Sequence, residues 1–489
     1  MTIYTKYLRR GEYISYTAKV VEQEYGISKD DFNKEFAPFN SIIRRDITVF
    51  FEYPYVDKFY RDSYYTYFST KHTAYKRNSI RLSFFTKGVD DSYFRDKDKK
   101  GKLQQAFLGF ITIRPTKRGL IGRSLISPKL YRHNNFVTCL TSFSTLINGV
   151  KLSIDAFPYC SQDTETISCA ETTLLNTMEY FGSKYPEYSP VLPSKIIRLL
   201  SSRASERQLP SSGLSIDDIS FVLKDLGFSP KLYSKSVLDN DNLFKKILDI
   251  YIESGIPIIG AIENDNLGHA VIFVGREELF KDGQLDDEFD NHDFNFSNII
   301  EKYVLIDDNY PPYTLADYTN ITSHYTDESF ANCELTSFVV PLYPKIYVDA
   351  ELALKFFEQL ETYILSDDEN YCTRLFLASS RSVKNSISYY EDLNHKIKDL
   401  IIETAMPKFV WVIEILDKES YNNKQIKGLI IIDATETNLD INDHLLFFIF
   451  DNSLIIFGKD KILSKELEMN IFPIFANNLK GRHNLWNNY

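Results

Sequence analysis

"QDTETISCAETTLLNTMEYFG" (Gln162–Gly182) places a cysteine where a helix begins. Ser168, followed three residues later by Glu171, has the form of a capping box, in which serine and glutamate satisfy the first free N–H groups of a helix. Ala170, Leu174, Leu175, Met178 and Phe181 then recur at helical intervals and give that helix an apolar face. Cys169 is thus the first helical residue. A thiol at this position lies in the positive end of the helix dipole, which favours the thiolate. A lone cysteine at a helix start is more often a small core residue, so the reading depends on what the surrounding chain supplies.

Outward from this helix, helices come first and strands follow. In "LSIDDISFVLKDLGF" Ile216, Ile219, Leu223 and Leu226 share a face and Gly227 stops the helix; "NLFKKILDIYIESG" repeats the device and stops at Gly255. "IPIIGAI" (Ile256–Ile262), "HAVIFVG" (His269–Gly275) and "KYVLIDD" (Lys302–Asp308) are short, β-branched and bounded by Gly, Asn or Asp, as strands are. The acidic stretch from Arg276 to Glu301 reads as a solvated insertion between paired strands. His269 opens its strand directly after Gly268, where a loop delivers the ring to the rim of a sheet. Asp307 and Asp308 end the next strand, so a carboxylate comes beside the imidazole to fix its tautomer. Gln162, in the polar run before Cys169, can turn its amide back and, with the Cys169 N–H, hold a developing oxyanion. Cysteine at a helix start, histidine at a strand start and aspartate after the following strand are the chain order of a Cys-His-Asp hydrolase.

The segment "QDTETISCAETTLLNTMEYFG … GIPIIGAI … GHAVIFVG … YVLIDDNYPPY" resembles the papain-like cysteine peptidase fold, in the branch that includes the peptidase domains of bacteriocin-processing transporters and related bacterial proteins. It covers roughly residues 155–320. The resemblance implies Cys169 as nucleophile, His269 as general base and acid, Asp308 as the residue orienting it with Asp307 in reserve, and Gln162 as oxyanion donor. Ala170 stands where many members have glycine, the acidic insertion is longer than a hairpin needs, and no GxxxxGK[ST] phosphate loop accompanies the segment. Substrate identity therefore does not carry over.

The expected fold class is α+β: a papain-like core at 151–345, N-terminal helices before an antiparallel sheet, flanked by a mostly β accessory domain at 1–150 and an α/β accessory domain at 346–489. In the first, "DITVFFEY", "NSIRLSFFT" and "AFLGFITIRP" read as strands. In the last, a helix near "DAELALKFFEQLETYI" precedes strands in "TRLFLAS", "FVWVIEIL", "GLIIIDA" and "LLFFIFDNSLIIF". The length of 489 residues accommodates three domains. A net charge of −11 is a poor match to a phosphate backbone, so nucleic acid is not an expected partner. No apolar run is long enough for a secretory signal or a bilayer span, so a cytoplasmic protein without membrane partners is expected. The five cysteines, Cys139, Cys160, Cys169, Cys333 and Cys372, include no CxxC pair and read as free thiols. The expected activity is hydrolysis of a peptide or isopeptide bond in a protein or peptide substrate, needing no metal or organic cofactor. The alternatives are transglutaminase-like acyl transfer from the same thioester, and a peptide-binding module of the same fold with little turnover.

Overall fold

The structure, a computed structural model, describes residues 4–132, 135–202, 209, 213–279, 295–364, 371–391, 393–450, 453–457, 462–466, 472–475 and 478–481. Helix and strand take comparable shares, 37% and 32%, and the chain is α+β.

The first sheet is built from strands whose two faces are both covered. Phe50 and Phe51 are consecutive, and successive strand residues point to opposite faces. Phe51, with Leu82 and Phe84, faces the main core; Phe50, with Phe85 and Phe107, faces a second, smaller one. Seven strands follow the spatial order Tyr4–Arg9, Ile47–Tyr55, Ser79–Thr86, Phe107–Ile113, Ser124–Ile126, Val150–Tyr159 and Thr141–Ile147. The helices Tyr13–Tyr25 and Lys29–Ile42 contribute Tyr13, Val21, Phe32 and Phe36 to the main core. "RDKDKKGK" spans the end of one short helix and the start of another, Lys100–Ala106, whose Leu103 anchors the smaller core.

The central sheet runs Thr314–Asp317, Lys302–Ile306, Gly268–Glu277, Ile258–Glu263, Glu334–Leu342 and Ser229–Ser234, paired antiparallel throughout. Beyond the reach of Ile258–Glu263, the strand Gly268–Glu277 is joined by Phe136–Thr138, which in turn pairs with Lys480–Gly481. Gly275 makes this possible, because a Cβ there would lie 2.0 Å from the Val137 carbonyl oxygen. The helices Cys169–Lys184, Ile216–Asp225 and Asp241–Glu253 precede the strands from Ile258 onward, as the periodicity predicts, whereas Ser229–Ser234 lies between the second and third of them and Phe136–Thr138 before the first. Arg276, expected at the start of a solvated insertion, instead belongs to the strand and is buried. Near its other end the stretch forms a short 3-10 helix, Phe296–Ile299, with Phe296, Ser297 and Ile299 buried rather than solvated; 280–294 lies outside the described residues, as does Trp486.

The third sheet has six strands in the order Cys372–Ser379, Phe409–Leu416, Gly428–Asp433, Leu445–Phe450, Ser453–Phe457 and Ile462–Glu466. Its pairings are all antiparallel, so the expected α/β character of this region is corrected to α+β. The physical reason lies in the connections: two residues between Phe450 and Ser453 allow a hairpin, whereas parallel neighbours need a crossover of a dozen or more. Trp411, fully buried, donates its indole N–H to the Val348 carbonyl at 2.9 Å and packs as a core residue. No described helix is long and apolar enough to cross a membrane.

Candidate active site

The segment before Cys169 is tied into a knot by one side chain. Asp163, 3% exposed, accepts the backbone N–H groups of Glu165 at 3.0 Å, Thr166 at 2.6 Å and Ile167 at 3.1 Å. Thr164 at the crest adopts φ +61°, a left-handed conformation unusual for a β-branched residue and sustained here by the bonds around it. Ser168 and Glu171 then form both halves of the capping box, and the helix starts at Cys169. Cys169 is half-buried, whereas the other four cysteines are buried, and all five are free. Its Sγ accepts the backbone N–H of Ala270 at 3.5 Å.

That contact brings the start of the helix to the start of the histidine strand. The turn before the strand is closed by Asn264, whose Oδ1 accepts from Asn266 at 2.9 Å and Leu267 at 2.8 Å. His269 follows, 6% exposed and paired in register with Ile262. Its Nε2 lies 3.1 Å from Asp307 Oδ1 and 3.6 Å from Asp308 Oδ1. Burial opposes charging the ring, but the Asp307 carboxylate, its hydrogen bond, a hydrogen bond with the Cys169 side chain and the charge of Asp308 outweigh it, and His269 is held well above the ordinary histidine range.

The two aspartates lie just past Lys302–Ile306, in the turn that the strand runs into. Asp307 Oδ1 also accepts the Asn309 N–H at 3.0 Å, and its carbonyl accepts from Tyr310 at 3.2 Å. The hydrogen bond to His269 therefore belongs to Asp307, the residue expected in reserve. Asp308, expected in that role, directs Oδ2 to the Thr172 hydroxyl at 3.3 Å, against the first turn of the cysteine helix. Burial pushes both carboxyl groups up, yet His269, His324 and Tyr325 hold Asp307 well below the usual carboxylate range. Asp308 stays raised, since burial and the like charge of Asp307 exceed what His269 returns.

Gln162 donates its Nε2 to Asn309 Oδ1 at 3.1 Å, one of two N–H bonds its amide can make. The backbone beneath it is held from the first sheet. Arg114, 2% exposed, donates to the Ser161 carbonyl at 2.9 Å, and a Cβ on Gly119, at φ +58°, would lie 1.7 Å from the Gln162 carbonyl oxygen. Within "FITIRPTKRG" (Phe110–Gly119) it is thus Arg114 that grips backbone carbonyls, while Lys117 and Arg118 at its basic end are exposed.

Tyr325, His324 and Asn309 complete the surroundings, and no motif in the sequence points to the first two. The Tyr325 hydroxyl donates to Asp307 Oδ2 at 2.6 Å and lies 3.2 Å from His269 Nε2, while its ring stacks on Phe330 with centroids 3.8 Å apart. His324 Nε2 lies 3.2 Å from Asp307 Oδ2. Both residues sit in the connection between Thr314–Asp317 and Glu334–Leu342, which carries neither helical nor strand periodicity. No family model matches the chain, and no curated protein matches it in sequence.

Proposed function

We propose that the protein is a cysteine peptidase-like hydrolase with a papain-like core, acting through a Cys169 acyl-enzyme. The observation that carries this reading is the convergence at the start of the histidine strand: Cys169 Sγ on the Ala270 N–H, the Asp307 carboxylate on His269 Nε2, and burial around the histidine and aspartate. The order of helix, histidine strand and aspartate turn supports the core assignment. In the proposed step His269 takes the thiol proton and the thiolate attacks a peptide or isopeptide carbonyl, forming a thioester. The imidazolium returns its proton to the leaving amine, and water then hydrolyses the thioester. Asp307 orients the ring and supports its charge. The Cys169 N–H at the helix start and the second N–H of Gln162 are the proposed oxyanion donors; removing one such donor costs about 10²–10³ in rate.

Alkylation at slightly acidic pH tests the activated thiol. Iodoacetamide should modify Cys169 at least tenfold faster in the wild type than in His269→Gln. Cys139, Cys160 and Cys372, whose thiols burial pushes up, should stay largely unmodified. Equal Cys169 rates in wild type and His269→Gln would defeat the reading. Mass spectrometry of the products separates hydrolysis, which yields cleaved peptide, from transfer to an amine, which yields a new amide.

A further inference from the structure

His269 Nε2 faces more acceptors than one proton can serve. Asp307 Oδ1 is at 3.1 Å, the Tyr325 hydroxyl oxygen at 3.2 Å and Asp308 Oδ1 at 3.6 Å. One ligand atom from each of His269, Asp307 and Asp308 lies within 4.8 Å of the others. Asp308 is the informative member. Its side chain is 3% exposed, it is aimed at this point, and its Oδ1 has no hydrogen-bond partner. A buried oxygen left without a donor is costly, and here it leaves a free electron pair 3.6 Å from His269 Nε2.

The spacing suits a small cation. Ligand atoms held tetrahedrally at roughly 2.0–2.2 Å from zinc stand about 3.3–3.6 Å apart, close to the separations around Nε2. One imidazole with two carboxylates is a donor set for zinc-class cations, whereas calcium takes six to eight oxygens at about 2.3–2.6 Å. The outer hydrogen bonds are also in place. His324 and Tyr325 hold Asp307 Oδ2, and Thr172 holds Asp308 Oδ2, so each carboxylate is fixed at the oxygen that does not face the histidine.

We propose that His269, Asp307 and Asp308 form a site for a divalent zinc-class cation, with the Tyr325 hydroxyl or a water as fourth ligand. The cation takes the place of the proton on Nε2, so metal and proton exclude each other at that atom. This binding does not depend on the acyl-enzyme reading, because Cys169 contributes no ligand.

Calorimetric titration of the full chain with Zn²⁺, after chelator treatment and in reducing buffer, should find one tight equivalent in the wild type and in Cys169→Ala. Asp308→Asn and His269→Gln, checked for folding by thermal melting, should bind at least tenfold more weakly. Cobalt loaded into unsubstituted protein should show tetrahedral visible bands without a thiolate charge-transfer band, and should perturb the NMR signals of His269 and His324 but of no other described histidine. Absence of tight binding, undiminished binding in both folded variants, or a cobalt-thiolate band lost in Cys169→Ala would overturn the site. The alkylation contrast between wild type and His269→Gln is read in metal-free protein, so either proposal can fail alone.

Discussion

At the scale of single residues, the charge balance around His269 makes its own predictions. A histidine raised in the folded state stabilises the fold fully below the unfolded value near pH 6.5, and the contribution fades as pH rises through the folded value. Asp307, depressed, contributes above about pH 4 and loses its contribution as pH falls through its folded value. The pair therefore stabilises the fold from about pH 4 to above pH 6.5. Asp307→Asn should move the His269 NMR titration to lower pH and flatten the fall in stability above neutrality. Asp308→Asn, which removes the more distant charge, should move it less. Equal shifts would contradict the assignment of Asp307 as the orienting carboxylate. The sequence placed both aspartates at the strand end, and the resemblance ranked Asp308 first; the structure reverses that order through the turn, where the Asn309 and Tyr310 N–H groups fold back onto Asp307 and the hydrogen bond to the ring comes from Asp307.

At the scale of elements, the Cys169 helix start depends on two local supports and one long-range one. The capping box is local and legible in four residues of sequence. Ser168→Ala should cost about 1 kcal/mol, read as a shift in denaturation midpoint. The Asp163 knot is also local, but nothing in "QDTETIS" distinguishes a buried aspartate with three N–H partners from a solvated one. Asp163→Ala leaves buried donors unpaired and should cost roughly 1–3 kcal/mol or more. The long-range support is Gly119, where a methyl group would collide with the Gln162 carbonyl. Gly119→Ala should leave the helix intact by circular dichroism while displacing Gln162, seen as a changed side-chain amide signal for that residue. An unchanged signal would show that the first sheet does not set the position of Gln162. No pattern within 160–182 announces this dependence, since the contact comes from a turn in another sheet. The helices and most core strands were legible because apolar periodicity is local; Tyr325 and His324 were not, because their connection has no period to read.

At the scale of the molecule, buried charge fastens the third sheet to the central one. Glu253, at the end of its helix, pairs with Arg276 of the histidine strand and with Arg374 at 2.7 Å, and Arg374 continues to Glu414 at 2.8 Å. All four side chains are buried. Burial would raise Glu253, but the two arginines bring it down to about 2, whereas burial keeps Glu414 raised. Glu253 thus supplies stability above its unfolded value of about pH 4.3, lost as pH falls toward its folded value. Glu253→Gln should destabilise the protein by about 3–5 kcal/mol at neutral pH, and the gap from wild type should narrow between about pH 4.3 and 2 in denaturant titrations. A gap independent of pH would mean that the glutamate acts through shape alone. None of this could be read from a sequence in which the four residues lie on separate segments. The same remoteness governs the strand Phe136–Thr138, bracketed by Gly268–Glu277 on one side and Lys480–Gly481 on the other. On the ribosome, the sheet holding the imidazole stays unfinished until the segment 480–481, made much later, arrives to seal its border, so a nascent chain would carry its thiol long before that sheet is complete.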